Sequence, residues 1–198
     1  MQPKTIIFVG PQGSGKGTQI TLLSKVLREK YPTERVVDIQ TGRRFRALAA
    51  KGEGFTERHI QETLDTGMLQ PLFLSIVLWG DAFHHHVDPT CHLLIDGFPR
   101  TVNEARVLES ALAFYSRNDV AVINLETPED VVRARMEGRA RSDDTQESIE
   151  ARLTWYREET LPVLAYYRER GHTSVLTCDG TKTIEGVHHE ILQKLNLL

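Results

Sequence analysis

The stretch Gly10-Pro11-Gln12-Gly13-Ser14-Gly15-Lys16-Gly17-Thr18 decides the fold. It follows the apolar run Thr5–Val9 and precedes a helical pattern over Gly17–Lys30. That strand–loop–helix setting separates a phosphate-cradling P-loop from a glycine-rich turn with an exposed lysine. The glycines let the backbone curl until successive N–H groups point inward. The helix N-terminus adds partial positive charge, and Lys16 brings a full one. Gly17 stands where Ser or Thr holds Mg²⁺ in a general P-loop. Thr18 comes one residue late, so a metal would rely more on water and other residues.

Outward from this loop, runs of strand length recur at Val36–Ile39, His92–Ile95, Val120–Leu125 and Ser174–Thr177. Helical spacing fills Arg43–Lys51, Thr56–Thr66, Pro71–His86, Thr101–Arg117, Pro128–Glu137 and Thr183–Leu195. Alternating strands and helices predict an α/β fold, a five-stranded parallel sheet covered on both faces. The clearest helix starts near Asp144, where Asp144 and Glu147 suggest a capping box. Ile149, Leu153, Tyr156, Thr160, Val163 and Tyr167 mark one face, Pro162 predicts a kink and Gly171 a stop. Two short helices fall together after the second strand, so residues 40–70 read as an inserted helical segment within one domain spanning 1–198.

Composition narrows the function. Twenty-four basic against 27 acidic residues give a formal charge of −3, which excludes bulk attraction to nucleic acid or an anionic membrane. Anion binding must come from local clusters. Cys91 and Cys178 form no Cys-x-x-Cys pair and read as buried thiols of a reducing compartment. The apolar run inside Met1–Gly10 is too short for a signal or spanning segment, so the expected location is cytoplasmic.

A second motif is Leu93-Leu94-Ile95-Asp96-Gly97-Phe98-Pro99-Arg100-Thr101. Asp96, at the carboxyl end of a buried strand, faces the same crevice as the P-loop and is a candidate to hold Mg²⁺, directly or through water. Arg100 can fork onto a phosphate. On these residues, with Thr41-Gly42-Arg43-Arg44-Phe45-Arg46 and the Arg139–Asp144 segment before a Pro-containing, Tyr-rich helix, the chain resembles the adenylate kinase family across nearly its whole length.

The resemblance implies a three-layer P-loop kinase fold and transfer of a phosphoryl group from ATP to a nucleoside monophosphate. AMP is the expected acceptor; GMP, a pyrimidine monophosphate and a catalytically weak nucleotide-binding relative are the alternatives. It implies that Gly13, Ser14, Gly15, Lys16, Gly17 and Thr18, with Arg139, bind ATP. Thr41, Gly42, Arg46, Gly67, Leu69, Gly97, Arg100, Glu104, Arg141 and Arg152 would bind the acceptor. Lys16, Arg100, Arg139, Arg141 and Arg152 would act on the transferring group, and Asp143 and Asp144 would support the arginines. Mg²⁺ would accompany ATP, with Asp96 reaching it through water.

Three positions depart from the family pattern. Arg43 replaces the usual Asp after Thr-Gly. Glu104 replaces a base-reading Gln; a carboxylate accepts only, so it suits a guanine edge with two donors, or else points to solvent. The lid is nearly absent, confined to residues 138–142 with Ala140 alone between Arg139 and Arg141. A partner subunit covering the site, or measurable ATP hydrolysis, would follow. No cysteine quartet is present for a lid zinc. His84-His85-His86 and His188-His189 read as solvated helix positions. A GTPase reading lacks an Asn-Lys-x-Asp motif.

Overall fold

The computed structural model describes residues 3–139, 141 and 143–198. Its sheet is built from β1 (Thr5–Val9), β2 (Val36–Gln40), β3 (His92–Asp96), β4 (Val120–Glu126) and β5 (Thr173–Asp179). All neighbours pair in parallel, in the order β2-β3-β1-β4-β5. Every residue of β1 is buried. A central strand of a sheet covered on both faces has no wet side, which is why its sequence is a continuous apolar run rather than an alternation.

The helices α1 (Lys16–Lys30), α4 (Leu72–His86), α5 (Val102–Phe114), α6 (Glu129–Gly138), α7 (Gln146–Trp155), α8 (Leu161–Arg168) and α9 (Ile184–Lys194) surround the sheet. On one face Leu23, Leu27 and Ile191 of α1 and α9 pack against Ile6, Phe8 and Ile123. On the other, Trp79, Phe83, Val163 and Tyr167 pack against Ile7, Leu93 and Ile95. There the Phe98 ring stacks on Trp79 with centroids 5.3 Å apart. Each fully buried large apolar side chain contributes about 1.5–3 kcal/mol. Between β2 and α4, α2 (Thr41–Ala49) and α3 (Phe55–Asp65) close on their own small cluster of Phe45, Ile60 and Leu74.

Two expectations for the long C-terminal helix need correction. The cap is Thr145, whose hydroxyl accepts from Ser148 N at 3.2 Å; Asp144 binds arginines instead. Pro162 produces neither a break nor a simple kink. A π turn over Tyr156–Thr160 joins α7 to α8, placing Pro162 in the first turn of the new helix, where no N–H is required. That helix ends at Arg168, short of Gly171.

Parallel pairing brings the carboxyl ends of the strands to one edge. The register sets Phe8 opposite Asp96 and Gln40 opposite Asp96, so the loop after β1, the end of β3 and the start of α2 meet around one crevice.

Candidate active site

The P-loop turns on glycine. Gly13 and Gly15 have φ of 94° and 97°, and a Cβ on Gly13 would lie 2.9 Å from Met136 Cγ. Both the dihedral and the close approach of α6 exclude a side chain there. Ser14 is buried, Gly15 precedes α1, and Gly17 and Thr18 continue the wall of a crevice of about 780 Å³.

Lys16 Nζ donates to Gly10 O and Pro11 O, each at 2.8 Å. Burial pushes its pKa down to about 8; Asp96 opposes the shift, and Arg100 and Arg139 reinforce it. Removing the ammonium from water disfavours its charge, as do cations nearby.

Across the crevice, Arg100 Nε donates to Gly97 O at 2.8 Å, and its guanidinium lies 4.9 Å from the Trp155 ring centroid. Burial lowers the Arg100 pKa, while Glu104 and Asp96 counter it. Asp96 Oδ1 is buried with no hydrogen-bond partner among the described residues.

Asp144, with a side chain only 1 % exposed, gathers two of the arginines. Arg139 reaches it at 2.5 and 2.8 Å and Arg152 at 2.6 Å. Arg152 also donates to Asp143 Oδ2 at 2.9 Å and to Leu64 O at 3.0 Å. Burial pushes the Asp144 carboxyl up, but both guanidinium groups together hold it below the ordinary value. Arg46 and Arg141 also line the crevice, and burial followed by neighbouring arginines lowers the pKa of each. The expected lid at residues 138–142 rests on Ala140 and Ser142, which lie outside the described residues.

The remaining predicted positions ring Arg100. Thr41 Oγ1 is buried without a partner among the described residues, Gly42 sits beside the Arg46 guanidinium, and Gly97 has φ of 86°. A Cβ on Gly97 would stand 2.5 Å from Thr41 Oγ1. Gly67, φ 72°, packs so tightly on α7 that a Cβ would lie 2.8 Å from Ser148 Cα. Leu69 and Glu104 line a smaller cavity of about 90 Å³, which shares Gly97 and Arg100 with the main crevice. Arg43, the substituted position, lies on the main crevice wall.

Glu104 does not face solvent. Its side chain is buried, accepting from Ser75 Oγ at 2.5 Å and Trp79 Nε1 at 3.2 Å on one oxygen and from Arg100 N at 2.7 Å on the other. The solvent-pointing alternative is therefore overturned. His84, His85 and His86 are exposed at the end of α4, and among the described residues no three metal-ligating side chains cluster.

Sequence reasoning missed three features. Trp155, under Arg100, also donates to Gly67 O at 2.9 Å; it sits one position before Tyr156 and so off the apolar stripe. Gln70 is buried beside Leu69 with no motif around it. Gly180 and Lys182, after β5, line the crevice wall. Their signal was available, because loops at the carboxyl ends of parallel strands face the ligand crevice.

A P-loop lysine and a cluster of arginines lining one crevice are the arrangement of a nucleotide phosphotransferase. The family model described as adenylate kinase matches residues 8–172. The chain is 36 % identical over 191 residues to the adenylate kinase of Corynebacterium urealyticum, covering 96 % of this chain and 98 % of the relative. It is also 36 % identical over 186 residues to adenylate kinase 1 of a Nostoc species, covering 94 % and 95 %. Adenylate kinase 1 of a Synechocystis species is 34 % identical over 184 residues, covering 93 % and 92 %. The chain belongs to the adenylate kinase family.

Proposed function

We propose that this protein moves the γ-phosphoryl group of ATP onto AMP, giving two ADP. The observation that carries the reading is that Lys16 and Arg100, two half-buried cations, line one crevice. Phosphoryl transfer needs in-line positioning and compensation of charge on the moving group, with little covalent work from the protein. Lys16 and the Gly13–Thr18 backbone hold the donor phosphates, and Arg100 anchors the acceptor phosphate. Arg139, Arg141 and Arg152 meet the charge that develops between them. The attacking atom is a phosphate oxygen, so no general base is needed.

Mg²⁺ fits this crevice. The unpartnered Asp96 Oδ1 offers one buried carboxylate oxygen, and one carboxylate with waters and substrate phosphates is a common Mg²⁺ setting. When bound, the ion would neutralise part of the β- and γ-phosphate charge.

Glu104 favours adenine over guanine. A guanine edge presents two donors side by side and needs an open lone pair on each carboxylate oxygen, but one oxygen already takes Ser75 and Trp79. We also infer a short lid at 138–142, which predicts a background of ATP hydrolysis without acceptor. Two buried, unpaired thiols suit a reducing compartment, and we assign the enzyme to the cytoplasm. A coupled assay with ATP against AMP, GMP, CMP and UMP tests the proposal. AMP should exceed the others in kcat/KM at least tenfold; a different preferred acceptor overturns the assignment of AMP.

A further inference from the structure

Glu104 leaves a gap in base recognition. The outer edge of adenine carries an amine, which donates, beside a ring nitrogen, which accepts. A carboxylate meets the first and cannot meet the second. The donors nearest Glu104 are turned toward it: Ser75 Oγ at 2.5 Å, Trp79 Nε1 at 3.2 Å and Arg100 N at 2.7 Å. Recognition of the ring nitrogen needs a donor from elsewhere on the cavity wall.

We propose that Gln70 is that donor, a specificity-determining residue that completes the reading Glu104 begins. Gln70 lines the same cavity of about 90 Å³ as Glu104 and is 9 % exposed. The Gln70 amide rests on Thr63 Oγ1, which lies 2.9 Å from Nε2 and 3.1 Å from Oε1; because the Thr63 hydroxyl hydrogen can go to Ile60 O at 2.9 Å, Nε2 can donate to Thr63. That bond uses one hydrogen of the amide, and among the described residues Nε2 has no second acceptor, so its other hydrogen is available to a ligand.

The placement suits a nucleotide held by its phosphate on Arg100. Arg100 lines both this cavity and the main crevice. The segment carrying Gln70 is tied to the phosphate anchor: Gly67 O accepts from Trp155 Nε1 at 2.9 Å, and the Trp155 ring lies under Arg100. A base entering the cavity would thus meet Glu104 on one wall and Gln70 on another. A site built to hydrogen-bond a ring atom rejects an analogue that lacks it, because its own buried group is then left unpaired.

The inference rests on the AMP reading above, and the test separates the two. Wild-type enzyme is assayed with AMP and with 1-deazaadenosine monophosphate, in which C–H replaces the ring nitrogen. The expected fall in kcat/KM is at least tenfold. In Gln70→Leu the two acceptors should become equal within twofold, while the preference for AMP over purine riboside monophosphate, which lacks the amine, persists through Glu104. If wild-type enzyme uses both acceptors equally, the role of Gln70 is overturned without any variant being needed. If Gln70→Leu still rejects the deaza analogue as wild type does, the donor lies elsewhere, with the Thr101 hydroxyl as the next group on the wall, and the proposal fails. If AMP itself is not phosphorylated, the AMP reading fails instead.

Discussion

The two sides of the crevice are built by different means. The side proposed to take the donor is one contiguous loop, Gly10–Thr18, whose backbone curls at glycine and whose single full charge, Lys16, rests on two carbonyls of the same loop. The side proposed to take the acceptor is assembled from α2, the 66–71 connection, the end of β3, α5 and α7, and its charges are held by carboxylates five to nine residues along the chain and by backbone carbonyls, one of them distant. Arg152 alone binds Asp143, Asp144 and the carbonyl of Leu64, 88 residues away. A contiguous site is fixed by local backbone geometry, whereas an assembled one depends on the packing of the whole fold.

The largest test of this contrast is removal of each side's central cation. Lys16→Ala and Arg100→Ala should each lower turnover at least a hundredfold, about 2.7 kcal/mol or more of lost charge stabilisation. The kinetic consequences should differ. Lys16→Ala acts on the ATP side and Arg100→Ala on the acceptor side, so KM should rise chiefly for the corresponding nucleotide. Turnover within a few-fold of wild type in either variant would break the assignment.

Stability should distinguish the sides as well. Asp144→Ala leaves Arg152, 4 % exposed, with only Asp143 as its ionic partner. Because Asp143 and Leu64 O still hold Arg152, the cost should fall short of that for a fully orphaned buried charge and lie at about 1–3 kcal/mol. Urea denaturation should show that loss in Asp144→Ala and a change under about 1 kcal/mol in Thr18→Ala, where an exposed side chain on the loop is trimmed. Equal losses would mean that the acceptor side is no more dependent on long-range packing than the donor side.

The same contrast accounts for what could be read in advance. All strands fell within two residues of their expected positions because apolar runs and strand-to-loop transitions are local features. That the P-loop, Asp96 and Arg100 share one crevice was legible because each belongs to a contiguous motif at the end of a strand. The inward turn of Glu104 was not, since it depends on Ser75 and Trp79, 29 and 25 residues away on α4. Gln70 was invisible for the same reason. The cap at Thr145 was missed because Asp144, an equally good capping residue by type, is drawn away by Arg139 and Arg152. Local propensity lost to a tertiary ion pair.

A smaller effect follows from the poise of Lys16. With its pKa lowered to about 8 by burial, the free enzyme carries the ammonium below that pH and loses it above. kcat/KM for ATP should therefore fall with pH above about 8, approaching tenfold per unit, because that ratio reports groups of the free enzyme. Bound phosphates favour the charged form, so the corresponding break in kcat should move to higher pH. Lys16→Arg, which stays charged throughout, should flatten the profile even if it lowers its height. A break that survives in Lys16→Arg would assign the titration to another group.

The smallest expected effect concerns the strut between Arg100 and the acceptor segment. Trp155→Phe keeps an aromatic face under the guanidinium but removes the hydrogen bond to Gly67 O. A bond of that kind is worth about 0.5–1.5 kcal/mol, so KM for AMP should rise roughly twofold to tenfold while KM for ATP stays constant. Trp155→Leu removes the face as well, adding about 0.5–2 kcal/mol for the lost cation–π contact. Comparing the two variants separates the strut from the stack. If Trp155→Phe raises both KM values equally, the strut serves the crevice as a whole, and the division into a self-contained donor loop and an assembled acceptor side does not extend to Trp155.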